Sequence, residues 1–234
     1  MKPGSPFVPA SAPPPVPAPV ATRQRRKEAR PQELLEAALA LFVEKGFAAT
    51  RAEEVAQRAG VSKGTLYLYY PSKEELFKAV VRQNLSSLIK EGIELAEAHE
   101  GDSSALLGLL LQTWWQRIGN TPAAGIHKIV LSEVRNFPEL AQFYTDEVIV
   151  PADALFCRCV QRGIDSGEFR PMPAHEVAMA LMATVIFMAL HRHSFGACPV
   201  HNGVDVDPAL VLQTHLELVL RGLEVRPGAA PAAA

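Results

Sequence analysis

Apolar residues recur every three to four positions through most of this 234-residue chain. That is the spacing of amphipathic helices, and no stretch shows the period of two that a half-buried strand requires. Leu34, Leu35, Ala38, Leu41 and Phe42 form the first stripe. Pro31 suits the first turn of its helix, and Gly46 suits the left-handed residue that closes it. Val55, Ala56 and Ala59 make a shorter stripe, opened by Thr50 and Glu53 as a capping box and closed by Gly60. Ser62 caps the next helix, Leu66 and Tyr70 share its inner face, and Pro71 ends it. Ser72 and Glu75 repeat the capping box before a long stripe from Phe77 through Val80, Val81, Leu85, Leu88, Ile89 and Ile93. Further helices are expected over 105–118, 125–136, 139–163 (bent at Pro151), 174–195 and 208–223. The fold class is therefore all-α, with about nine helices.

The segment from Thr50 to Leu76 organises the rest. Helix, three-residue turn Ala59-Gly60-Val61, helix is the spacing of a helix-turn-helix. In such a unit the start of the second helix meets base edges in the major groove. Gly64 and Thr65 are small enough for close approach, Lys63 supplies a phosphate charge, and Tyr67 and Tyr69 carry hydroxyls. The shared core expected for the first three helices is Leu34, Ala38, Leu41, Phe42, Phe47, Val55, Ala59, Val61, Leu66 and Tyr70. A unit this small is marginal alone and should lean on the remaining chain.

The run from Pro31 to Val81 resembles the TetR family of bacterial transcriptional regulators. The marks are L-F-V-E-K-G-F-A-A-T (41–50), E-V-A-Q-R-A-G-V-S-K-G-T-L-Y-L-Y-Y (54–70) and P-S-K-E-E-L-F (71–77). Leu68 departs from the histidine or polar residue that many members carry; it would meet a thymine methyl or pack. The segment 131–140, L-S-E-V-R-N-F-P-E-L, is similar to regulators related to AcrR, which often control efflux pumps.

The resemblance implies a ligand-responsive repressor, homodimeric through residues 174–223. It would bind a palindromic operator in double-stranded DNA and release it when a small apolar or amphipathic effector enters the body. The fourth helix would link the two ends. Ser62, Lys63, Gly64, Thr65, Tyr67, Leu68 and Tyr69 would lie against DNA, with Thr50, Arg51 and Lys73 on phosphates. Arg26 and Lys27 would extend the contact as a basic arm. Two other classes remain open: a ligand-independent activator or architectural DNA binder, and a protein-binding adaptor with a vestigial helix-turn-helix.

Charge distribution supports a DNA-facing end. Residues 23–83 hold 12 Lys/Arg against 8 Asp/Glu, while residues 84–234 hold 10 against 17. A basic module on an acidic body suits nucleic-acid binding by one end. The expected division is a Pro/Ala-rich disordered tail (1–22), the DNA-binding domain (23–72), the effector-binding and dimerisation domain (73–226) and a second tail (227–234). The longest apolar run, Val177 to Leu190, is short for a bilayer span, and no signal-peptide pattern opens the chain. A cytoplasmic protein with reduced thiols and no membrane contact is expected.

Large soft residues in the body are candidates for an effector pocket: Trp114, Trp115, Phe137, Phe143, Met179 and Met182, with Phe156, Phe187 and Met188 beside them. His191, His193, Cys198 and His201 are close in sequence, but the two nearest histidines, two apart, point to different sides of a helix. No metal and no cofactor is expected. Cys157 and Cys159 should face apart for the same reason, as inert thiols. No catalytic motif appears: no G-x-S-x-G, no phosphate-cradling loop, no H-E-x-x-H. The chain is not read as an enzyme.

Overall fold

The structure is a computed structural model describing residues 21–225 apart from 134, 195 and 197–206, with the backbone alone for residues 21–28. Nine helical stretches follow one another among the described residues, and Phe169 and Glu224 form an isolated bridge. Apart from residues 21 and 22, both expected tails lie outside the described residues.

Helix α1 is Ala21–Lys45, so Pro31 stands inside it and not at its first turn. The ten residues before the proline, A-T-R-Q-R-R-K-E-A-R, are mostly strong helix formers and carry the helix backwards from the expected start. Gly46 closes α1 with φ +86°, a conformation open to glycine at no steric cost. Helix α2 is Ala52–Arg58 and α3 is Lys63–Tyr69. Gly60, at φ +65°, lets the Val61 N–H reach back to the Ala56 carbonyl at 2.9 Å, which closes α2 in a Schellman turn. Ser62 Oγ accepts from the Thr65 N–H at 3.1 Å and starts α3 at once.

Helix α4 covers 73–98. It begins with Ser72 Oγ accepting from the Glu75 N–H at 3.1 Å and is interrupted by a π turn, Arg82–Ser86. Helix α5 covers 103–119, α6 covers 122–133 and α7 covers 138–165. The bend expected at Pro151 falls just before it, as the π turn Thr145–Ile149. Proline at 151 has no N–H and crowds the carbonyl four residues back, so the helix widens there. Helices α8, Ala174–Arg192, and α9, Pro208–Leu223, complete the body.

Two apolar clusters hold these helices. The first joins Leu34, Ala38 and Phe42 of α1 to Phe47, Val55 and Leu66, and then to Phe77 and Val80 of α4, Ile126 of α6 and Leu140 and Val148 of α7. Its centre is aromatic: the Phe77 ring lies 5.4 Å from Phe42 and 5.3 Å from Phe47, and Phe137 meets Phe47 edge-on at 4.9 Å. Each such burial is worth roughly 1.5–3 kcal/mol. Ala59, Val61 and Tyr70 pack against this cluster half-buried. The second cluster gathers Leu106, Leu110, Phe156, Val160, Leu181, Val185 and Leu223 from α5, α7, α8 and α9.

By length and composition α8 could cross a bilayer. In the fold, its Val177, Ala178, Leu181, Val185 and Ala189 are buried, and α8 packs on α7. The rest of α8 and α9 leaves large apolar side chains in the open, with Phe187 at 62% and Leu218 at 67% exposure.

Candidate nucleic-acid interface and effector cavity

Helix α3 is held by one buried side chain, Leu66, and presents the remainder outward. Leu68 is 85% exposed, Tyr67 40% and Tyr69 37%, with Lys63 and Gly64 open and Thr65 half-covered. The Lys63 ammonium pairs with Glu53 of α2 and sits 5.8 Å from the Tyr67 ring. Its hydrogen bond to Glu53 raises the Lys63 pKa and lowers that of Glu53. This surface combines one cation, two phenols, a small glycine and an exposed leucine along one short helix, the composition for phosphate contact beside base-edge contact.

Three expectations about this end are corrected by the geometry. Thr50 is neither the N-cap of α2 nor open to a phosphate. It is 1% exposed, and its hydroxyl donates to the Gly46 carbonyl at 2.7 Å and the Leu41 carbonyl at 3.2 Å. Arg51 takes the cap position, and its N–H donates to Glu54 Oε2 at 3.2 Å, which leaves Glu53 for Lys63. Lys73 turns inward: Nζ donates to the Phe47 and Ala48 carbonyls at 2.9 and 3.2 Å and lies 4.5 Å from the Phe47 ring centre. It ties α4 to the end of α1. Arg51 is exposed, while Arg26 and Lys27 lie in the first turns of α1 with side chains outside the described residues.

Behind the head lies a cavity of about 740 Å³. Its walls are the second half of α4 (Leu85, Leu88, Ile89), α5 (Leu110, Trp114), α7 (Val148, Phe156) and α8 (Met179, Met182, Phe187). Trp114, Met179 and Met182 thus stand where expected. Trp115, Phe137 and Phe143 do not. Trp115 packs beside Trp114 at 6.4 Å, Phe137 belongs to the aromatic cluster with Phe47, and Phe143 lies 4.9 Å under the Arg82 guanidinium. Phe137 and Phe143 are spent on the joint between head and body.

Sequence reading missed a polar pair in the wall. His127 of α6 and Tyr144 of α7 both line the cavity, and His127 Nδ1 lies 2.5 Å from the Tyr144 hydroxyl. Burial, with His193 as a second cause, lowers the His127 pKa to about 4, and burial raises that of Tyr144. His127 is neutral at pH 7, and its buried Nε2 has no hydrogen-bond partner among the described residues. The only sign in the sequence was a histidine among Ile126, Ile129 and Val130.

Among the other candidates, Cys159 is buried and Cys157 is partly open, so the two face apart. In the His191, His193, Cys198 and His201 group, Cys198 and His201 lie outside the described residues.

Comparison with known proteins decides what this pairing of head and cavity is. The sequence profile of the bacterial regulatory proteins of the tetR family matches residues 34–80. The HTH-type transcriptional regulator YfiR of Bacillus subtilis is 30% identical over 151 residues, which cover 64% of this chain and 72% of YfiR. The chain belongs to the TetR family. It is a DNA-binding transcriptional regulator. The HTH-type transcriptional repressor KstR2 of Rhodococcus jostii is 29% identical over 198 residues, 84% of this chain and 92% of KstR2. The crystal structure of the transcriptional regulator FadR from Bacillus subtilis in complex with stearoyl-CoA shares the fold, with a TM-score of 0.63 at 19% identity, covering 82% of this chain and 99% of FadR.

Proposed function

We propose that this regulator is a homodimeric repressor released from its operator by a long apolar effector. The observation that carries the reading is the course of α4. Its first half, with Leu76, Phe77, Val80 and Val81, is buried in the core of the reading head, and its second half, from Leu88 to Leu95, is cavity wall. Between them lies the π turn Arg82–Ser86, where Arg82 donates to Glu147 Oε1 from Nε and Nη2 at 3.1 and 2.9 Å. Glu147 itself sits in the π turn of α7. Such turns are local irregularities often found where helices serve function. A molecule filling the cavity presses on α4 just past this joint and tilts the reading head.

The volume falls within the range of small-molecule pockets, and the lining is almost entirely apolar, so the effector is largely hydrocarbon. KstR2 is a repressor and FadR holds an acyl-CoA, which supports repression and a long acyl compound as the probe to try first. Genes for degrading or exporting such compounds are the fitting targets.

Two copies would pair through residues 174–223, covering Phe187, Leu210 and Leu218. The two α3 helices would then read half-sites about 34–36 Å apart. Lys63, Tyr67 and Arg51 contact phosphates in this reading, with Ser62 and Tyr69 flanking them. Gly64, Thr65 and Leu68 meet bases. Lys73 supports the geometry from inside.

Thermal unfolding with stearoyl-CoA tests the effector. A saturable rise in Tm, abolished when Met182→Trp fills the cavity, supports the reading. No rise with any long-chain acyl or polycyclic apolar compound favours a ligand-independent regulator.

A further inference from the structure

Away from α3, at the edge of the cavity, three side chains converge that DNA reading does not use. Asp153 and Cys157 are four apart on α7 and so share one face. His175, in the first turn of α8, completes the group. Cys157 Sγ lies 3.8 Å from Asp153 Oδ2 and 3.9 Å from His175 Nδ1, and His175 Nδ1 lies 3.1 and 3.2 Å from the two Asp153 oxygens. All the candidate ligand atoms lie within 4.8 Å of one another.

We propose that Asp153, Cys157 and His175 bind a divalent cation of the zinc type, with one coordination position open to solvent or a further ligand. Zinc bonds of about 2.3 Å to sulfur and about 2.0–2.1 Å to nitrogen and oxygen, at tetrahedral angles, put ligand atoms about 3.3–3.6 Å apart. The nitrogen–oxygen separation is already close to that figure, and the sulfur must move by a few tenths of an ångström. Both helices are anchored by buried residues on the adjoining turns, Leu155 and Phe156 on α7 and Val177 and Ala178 on α8, so the three side chains are brought together by the scaffold. Thiolate, imidazole and carboxylate together select a borderline-soft ion over magnesium or calcium.

Without a metal the three side chains are held together by contacts among themselves. The Cys157 thiol donates to Asp153 Oδ2 at 3.8 Å, and the His175 imidazole lies against both Asp153 oxygens. A dication would replace these contacts with bonds of its own to the same three side chains. It would also staple the start of α8 to α7 beside the cavity, since Asp153 contributes to the cavity wall as well.

The test is metal content of the purified full-length chain, stripped with a chelator, reloaded with zinc chloride and desalted. The wild type is expected to retain one zinc per subunit, whereas Cys157→Ser and His175→Ala retain none, and magnesium does not compete. Cobalt loading should give a thiolate-to-metal absorption band that Cys157→Ser removes. Zinc at background in the wild type overturns the proposal. So does full zinc retention in Cys157→Ser, which would place the ion elsewhere, for example at the His191 to His201 group. Should Cys157→Ser fail to fold, exposed His175→Ala decides alone.

Discussion

His127 Nδ1 and the Tyr144 hydroxyl, 2.5 Å apart, put a polar pair in the cavity wall where α6 meets α7. The pair has a consequence for pH. Burial holds the folded-state pKa of His127 at about 4, against 6.5 for the free side chain, so folding disfavours the proton. The stability tied to the neutral ring is fully present above pH 6.5 and drains away as the pH falls towards 4. Its upper size is about 3 kcal/mol from the shift at 1.36 kcal/mol per unit. Urea unfolding at pH 7.5 and 5 should show a loss of about 2 kcal/mol in the wild type, since pH 5 is still above the folded-state value, and a much flatter dependence in His127→Phe.

Removing the partner is the complementary case. Tyr144→Phe leaves Nδ1 buried without its bond, and an orphaned polar group costs about 1–3 kcal/mol. Denaturant midpoints at pH 7.5 should shift accordingly, while operator affinity in the absence of effector stays close to that of the wild type.

Lys73 and Tyr67 separate support from contact. Lys73→Ala removes two hydrogen bonds to carbonyls and the cation over Phe47, and should lower stability by about 1–2 kcal/mol, a Tm fall of several degrees. Tyr67→Ala alters an exposed position and should leave Tm within about one degree yet weaken operator binding at least tenfold. Calorimetry and DNA titration on the same samples distinguish the two.

Lys63 carries the electrostatic part. Lys63→Ala should lower affinity for operator and random duplex alike. It should also reduce the slope of log affinity against log salt by about 0.9 for each phosphate that is no longer neutralised. An unchanged slope would mean that Glu53 keeps Lys63 away from the DNA backbone.

Dimerisation through α8 and α9 is tested by Phe187→Glu combined with Leu218→Glu. Both side chains are exposed, so folding should survive. Sedimentation should change from dimer to monomer at micromolar concentration, and operator affinity should fall by far more than twofold because paired half-sites are no longer read together.

What the sequence made legible follows from the reach of each signal. Helices, caps at Ser62 and Ser72, and the glycine turns at 46 and 60 are set by residues within four positions of one another, and they stand where the pattern puts them. Thr50 looked like a cap because its competing partners, the carbonyls of residues 41 and 46, come into range only after α1 has turned back. Lys73 reads as a free cation until the loop 26 residues earlier folds under it. The same limit explains the pocket. Composition identifies soft residues, and three of the six named line the cavity, but which rings are used at the joint between head and body depends on packing across helices far apart in sequence. The α1 start departs from the pattern for a local reason: the proline rule competes with ten preceding residues that mostly favour helix.

The measurement that bears most directly on a ligand-responsive repressor is fluorescence anisotropy on duplex DNA from upstream of the protein's own gene, against a scrambled duplex, with and without stearoyl-CoA. Tight, salt-sensitive binding to the native duplex alone, abolished on adding stearoyl-CoA and retained with free coenzyme A, is the expected outcome. Binding that is equal and weak on both duplexes, or tight but indifferent to every apolar ligand that raises Tm, would break the link between cavity and reading head.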